Sequence, residues 1–148
     1  TSVSGRPRAV AQRPEPADIT LIFDGGSLGN PGKGYGSFIV LGEVPTAEPV
    51  RLEYLGQKNN NEAEYLSLIN GVRSILHELD LVGRDPANLS LTVLSDSKLV
   101  VEQVSGRWKV KHAGLKPLHA DAVNLVRRFG TWQLQWQPRS ESVRLLGH

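Results

Sequence analysis

The chain of 148 residues contains no cysteine. That excludes disulfide bridges and thiolate zinc sites, and nothing else in the composition argues for secretion. No apolar run approaches the ~20 residues that a membrane-spanning helix needs, and the first residues lack the apolar core of a signal peptide. Neither a thiol nor a convincing Ser-His-Asp set offers a protein nucleophile. The expectation is a soluble, cytoplasmic, monomeric domain without membrane partners, long enough to bury a real core. The formal net charge is only +2, which suits a polyanionic partner and an ordinary surface about equally well.

What the chain does have is acid at the ends of strands. Two runs that read as β-strands finish in aspartate: Ile19-Thr20-Leu21-Ile22-Phe23-Asp24 and Leu89-Ser90-Leu91-Thr92-Val93-Leu94-Ser95-Asp96. A third acid, Glu64, stands near the start of the helical segment between them. Open α/β sheets place their sites at the C-terminal ends of strands. Three converging carboxylates repel one another unless a hard divalent cation joins them. The pattern therefore points to metal-assisted chemistry on a phosphate.

Residues 1–17 carry Arg6, Arg8 and Arg13 among Pro7, Pro14 and Pro16. Without hydrophobic periodicity this segment is expected to be a disordered linker or tail, with the folded domain over 18–148. The first strand is followed by a turn dense in glycine and proline from Gly25 to Gly34. Further strands are expected over 35–41 and 50–54, joined as an antiparallel meander. A helix follows from about Glu62 to Leu79, with Leu66, Ile69, Val72, Leu76 and Leu79 on one stripe. Asn61 is the expected N-cap and Glu64 its capping partner. The fourth strand covers 89–95, Ser97 caps a short helix over 98–105, another helix ends at Gly130, and Trp132, Leu134 and Trp136 alternate in a fifth strand. This order gives an α/β fold with a five-stranded mixed sheet flanked by helices.

Each acid has an ordinary alternative. Asp24 can open an Asx turn, Glu64 can cap its helix, and Asp96 can cap the helix after strand four. Jointly these alternatives are weaker, because neighbouring first and fourth strands set Asp24 beside Asp96 with Glu64 pointing in. The motifs Asp24-Gly25-Gly26-Ser27, Gly29-Asn30-Pro31-Gly32, Asn60-Asn61-Glu62-Ala63-Glu64 and Ser95-Asp96-Ser97 together resemble type 1 ribonuclease H, as does Trp136-Gln137-Pro138-Arg139. The likeness covers roughly residues 19 to 142. It is to a compact form without a long basic protrusion, since only Arg107-Trp108-Lys109-Val110-Lys111-His112 occupies that place.

The resemblance implies the ribonuclease H-like fold. It also implies an endonuclease that hydrolyses the RNA strand of an RNA–DNA hybrid with two magnesium or manganese ions. Asp24, Glu64 and Asp96 are then the catalytic residues and metal ligands, Asp24 bridging both ions and Gly25 a further metal contact. Asn60, Asn61 and the Gly25-Gly26 backbone match positions that touch the RNA strand. Asn30, Asn59 and Ser97 fall where deoxyribose or DNA phosphate is met, and Trp108, Lys109 and Lys111 stack on and neutralise the DNA backbone. For Trp108 a core or groove-capping role is an equal alternative, and His112 and His119 are expected at the surface.

One motif departs from the family. After Pro138-Arg139 the pattern expects an asparagine, then Ala-Asp opening a final helix; here stand Ser142, Leu145 and Leu146. The fourth carboxylate is therefore missing, the terminal helix is expected to be absent, and Glu141 or His148 is a candidate replacement ligand. The second ion is expected to bind weakly. Two rival readings follow: a hybrid-binding module with little or no cleavage, and, ranked last, a nuclease of the same fold acting on DNA junctions.

Overall fold

A computed structural model describes residues 17–147. Apart from Ala17, the expected N-terminal tail lies outside the described residues, and so does His148. The elements run β1 (Ile19–Leu28), β2 (Gly32–Gly42), β3 (Val50–Lys58), α1 (Asn60–Leu81), β4 (Ser90–Ser95), α2 (Lys98–Val104), α3 (Lys116–Val126), β5 (Thr131–Trp136) and α4 (Arg139–Leu146). The sheet has five strands in the order β3-β2-β1-β4-β5. β1, β2 and β3 pair antiparallel, while β1–β4 and β4–β5 pair parallel. The mixed sheet expected from the sequence is present, and the first and fourth strands are neighbours.

The alternation in β1 sends Ile19, Leu21 and Phe23 to one face, where they meet the buried side of α1 in the main core. That side carries Tyr65, Leu68, Ile69, Val72, Ile75, Leu76 and Leu79. Leu66, expected on the stripe, is only half-buried. Ile69, Val72, Leu76 and Leu79 are buried as expected, and at the N-terminal end Tyr65 and Leu68 take the inward place instead of Leu66. None of the helices among the described residues is long and apolar enough to cross a membrane.

Three local expectations need correction. First, β1 does not end at Asp24. It continues through Gly25, Gly26 and Ser27 to Leu28, paired as far as Leu28↔Lys33, so the reversal itself takes only residues 29–31. The glycines are there for close approach: a Cβ on Gly25 would lie 2.5 Å from the Ala63 carbonyl oxygen. Backbone of β1 and backbone of α1 touch where any side chain would part them.

Second, α1 is capped by Asn59, not Asn61. The Asn59 side chain accepts from the Glu62 amide at 2.8 Å, and Glu62 accepts from the Asn59 amide at 2.9 Å. This is a complete capping box, and it releases Glu64 from that duty.

Third, the chain does not lack a terminal helix. Residues Arg139–Leu146 form α4 directly after Pro138, ending at Gly147 in the left-handed conformation. α4 lies across β1 and β2, with its last residue, Leu146, fully buried.

The Gly25–Ala63 contact generates a stability prediction. Gly25→Ala should lower the unfolding free energy by about 1–3 kcal/mol, because backbone must move to admit the methyl group. Gly114→Ala, whose Cβ meets nothing within 4 Å, should change it by less than about 0.5 kcal/mol. Urea titration of both variants checks the difference; equal midpoints would show that the close approach carries no constraint.

Candidate active site

Asp24 sits inside β1, opposite Ser37 of β2, and is 4% exposed. It therefore opens no Asx turn. β4 runs parallel beside β1 with Ile22 opposite Leu94, so two residues further on Asp96 emerges beside Asp24. Glu64 enters from the first turns of α1, carried there by the contact at Gly25. One carboxylate oxygen from each of Asp24, Glu64 and Asp96 lies within 4.8 Å of the other two. Nor does Asp96 cap α2: the Ser97 hydroxyl accepts from the Val100 amide at 3.3 Å.

The same Ser97 hydroxyl donates to Glu64 at 2.9 Å, and the Ser97 amide is held by the Ser95 hydroxyl at 3.0 Å. Trp136 donates its indole N–H to the Asp96 carbonyl at 3.1 Å. The Arg139 guanidinium stands 3.6 Å from the Asp96 carboxylate. Burial is the largest influence on Glu64 and pushes its carboxyl up to about 7, opposed by the Ser97 hydrogen bond. Repulsion from Asp24 and Asp96 adds to the rise, and Arg139 counters it. A carboxyl that resists ionisation between two other acids is in an electrostatic state that a divalent cation would relieve, so the residues present fit a metal ion.

Arg139 also belongs to the site: as the first residue of α4 it stands beside Asp96, a proximity that the Trp136-Gln137-Pro138-Arg139 motif alone does not reveal.

The asparagines divide their work. The Asn60 side-chain oxygen accepts from the Ser27 amide at 3.0 Å and is 3.1 Å from the Ser27 hydroxyl. The Asn60 amide donates to the Asn30 side chain at 3.1 Å. Asn30 and Asn60 thus fasten the β1–β2 turn to the start of α1, while Asn59 caps the helix. Gly26 lies under the Tyr35 ring, whose hydroxyl would be 2.7 Å from an added Cβ.

Asn61 is exposed and lines a groove of about 210 Å³ together with Trp108, Lys109, Lys111 and His112. Trp108 is 45% exposed, which removes the core alternative for it. His119 is half-buried, 3.0 Å from the Gln103 carbonyl, rather than free at the surface.

At the fourth position Leu146 is fully buried, and its carbonyl accepts from Arg51 at 3.3 Å. Glu141 does not replace the missing acid. It pairs with Arg144 one turn on, at 2.7 Å, which holds its carboxyl below the usual range. Among the described residues the cluster contains Asp24, Glu64 and Asp96 alone.

A family profile described as reverse transcriptase-like matches residues 50–143. The Bifunctional protein Rv2228c of Mycobacterium tuberculosis is 42% identical over 126 residues, 84% of this chain and 32% of that protein. The chain therefore spans about a third of the length of such curated relatives. The N-terminal RNase H domain of rv2228c, solved as a fusion with maltose binding protein, matches with a TM-score of 0.71 and 35% identity over 88% of this chain and 91% of that one. The Ribonuclease H of a Sulfurovum species is 30% identical over 128 residues, 77% of this chain and 76% of that protein. LC11-RNase H1, solved in complex with an RNA/DNA hybrid, matches with a TM-score of 0.73 and 27% identity over 86% and 90%. On the matching profile, the Sulfurovum relative and the shared architecture, the chain belongs to the ribonuclease H family.

Proposed function

We propose that this chain is a divalent-cation-dependent endonuclease that hydrolyses the RNA strand of RNA–DNA hybrids. The observation that carries the proposal is the meeting of three carboxylates from three separate elements within 4.8 Å. Divalent cations bound there would supply an activated water and charge stabilisation at the leaving 3′ oxygen. Asp24, the most buried of the three, Glu64 and Asp96 would hold the cations, with the Gly25 backbone beside them. Ser97 orients Glu64, and Arg139 balances charge on Asp96.

The hybrid is recognised by shape and by the hydroxyls that only one of its strands carries. Asn61 and the Gly26 backbone, with Asn60 behind them, meet the RNA strand. Trp108, Lys109 and Lys111 receive the DNA strand by stacking and charge, while Asn30, Asn59 and Ser97 meet its deoxyribose or phosphate. The RNA/DNA hybrid bound by the LC11 relative supports this substrate class. A second reading, binding with weak cleavage, is favoured by one observation: the fourth position is the buried Leu146, which leaves the second ion a ligand short.

The direct experiment incubates a labelled RNA–DNA hybrid, duplex DNA and duplex RNA with magnesium, manganese or chelator. Only the hybrid should be cut, in its RNA strand and only with metal. In that assay Asp24→Asn should lower kcat by at least about a hundredfold, with hybrid binding unchanged or tighter because a negative charge facing phosphate is gone. Cleavage by Asp24→Asn at the parental rate would sink the proposal.

Proton and cation compete at Glu64. Its folded value is raised, so its effect on stability is absent below pH 4.5. Stability then falls as pH rises through about 7, where the buried carboxyl must ionise. Without divalent cations the midpoint of thermal unfolding should fall across that window, and saturating manganese should restore it at the upper end. Glu64→Gln should flatten both responses. A flat profile in the parent would mean that Glu64 is not the strained member of the cluster.

Leu146→Asp tests the fourth position. It should raise the cleavage rate at low metal concentration while lowering thermal stability, because a buried leucine becomes a charge. An unchanged metal dependence would show that the position lies out of reach of the ions.

A further inference from the structure

Gln103 lies on α2, 5% exposed, beneath the groove that holds Asn61, Trp108, Lys109 and Lys111. Both ends of its amide are engaged. The Tyr65 hydroxyl donates to Gln103 Oε1 at 2.7 Å, and Gln103 Nε2 donates to the Lys109 carbonyl at 3.3 Å. The direction is unambiguous: a carbonyl only accepts, so the amide nitrogen must face Lys109, and the oxygen is left for the tyrosine. Its own carbonyl is 3.0 Å from His119 Nε2, and that ring meets Tyr65 edge-on with centroids 6.4 Å apart.

Tyr65 is fully buried and follows Glu64 directly on α1. Residues 107–112 are neither helix nor strand. The Gln103 amide thus spans from the residue beside the catalytic cluster to the backbone of an irregular basic segment. An apolar side chain of similar length would fill the same space without the cost of burying an amide. What the amide adds is a fixed direction at both ends.

We propose that Gln103 is a positioning residue: the Tyr65–Gln103–Lys109 hydrogen bonds hold the Trp108–Lys111 segment at a set distance from the carboxylates. The segment then receives the nucleic-acid backbone in register with the cutting site. This rests on the hybrid-nuclease reading above, but it makes a separate claim about binding.

The test uses Gln103→Met, which keeps length and loses both amide bonds, and Tyr65→Phe, which loses only the tyrosine bond. Affinity for an RNA–DNA hybrid is measured with chelator present, as a function of salt, beside KM and kcat with manganese. Gln103→Met should weaken hybrid affinity and raise KM roughly five- to tenfold, the low end of what two lost hydrogen bonds cost, with a smaller change in kcat. The slope of log affinity against log salt should become shallower by about one phosphate contact. Lys109→Ala should cost less in the Gln103→Met background than alone. Tyr65→Phe should move affinity in the same direction by a smaller factor, and it decides the matter if Gln103→Met does not fold.

Unchanged affinity and salt slope, or additive costs with Lys109→Ala, would overturn the inference and leave Gln103 a packing residue. A parent protein that binds the hybrid without cutting it overturns the nuclease reading alone, since the affinity comparison still stands.

Discussion

Three carboxylates held within 4.8 Å of one another are the constraint around which this fold is arranged. Like charges at that distance cost energy in a half-buried setting, so the backbone must oppose their separation. It does so with two contacts. Parallel pairing of β1 with β4 fixes Asp24 and Asp96 side by side. The approach of β1 to α1, close enough that Gly25 has no room for a Cβ, brings Glu64 over both. Neither contact is easily relaxed, because one is a strand ladder in the core and the other is backbone against backbone.

Around this centre the polar residues act first as fasteners. Asn59 and Glu62 close the end of α1, Asn60 and Asn30 tie it to the β1–β2 turn, and Ser97 serves both α2 and Glu64. Asn59 and Glu62 act within the start of α1, while the Asn60–Ser27, Asn60–Asn30 and Ser97–Glu64 bonds join different elements. The motif that marks the family is in this chain largely a set of joints. The groove beyond it, with Asn61, Trp108, Lys109 and Lys111, is where surface remains for a polyanion.

At the C-terminal end the chain departs from a four-acid arrangement by substituting volume for charge. Leu146 is buried and α4 lies across β1 and β2. The cation nearest Asp96 in this region is Arg139, whose side chain is largely exposed. Charge that a fourth carboxylate would add is absent, and the guanidinium moderates what remains. Glu141, close in sequence, is turned aside by Arg144.

The sequence by itself determined the strand pattern, the two aspartates that follow apolar strand runs and the motif spacing. These are local properties: period-two alternation, turn chemistry and residue order. They sufficed for the five-stranded mixed sheet and for Asp24, Glu64 and Asp96 as one group. They did not suffice for the choice of Asn59 over Asn61 as cap, since both are followed three residues on by glutamate. Only the docking of α1 on β1 decides which glutamate faces the strand ends. Nor did they show that β1 runs on through two glycines, because a glycine-rich stretch reads as a turn until a partner strand and a helix claim it. The helix over 139–146 was hidden for a similar reason: eight residues are too few to form a helix alone in water, and packing against the sheet is what stabilises them. Gln103 carried no signal in the chain, because its role depends on Tyr65 and Lys109 meeting it from opposite sides. Order and composition along the chain define local conformation and charge; tertiary packing decides which side chains share a boundary, and that is where both the site's electrostatics and its joints arise.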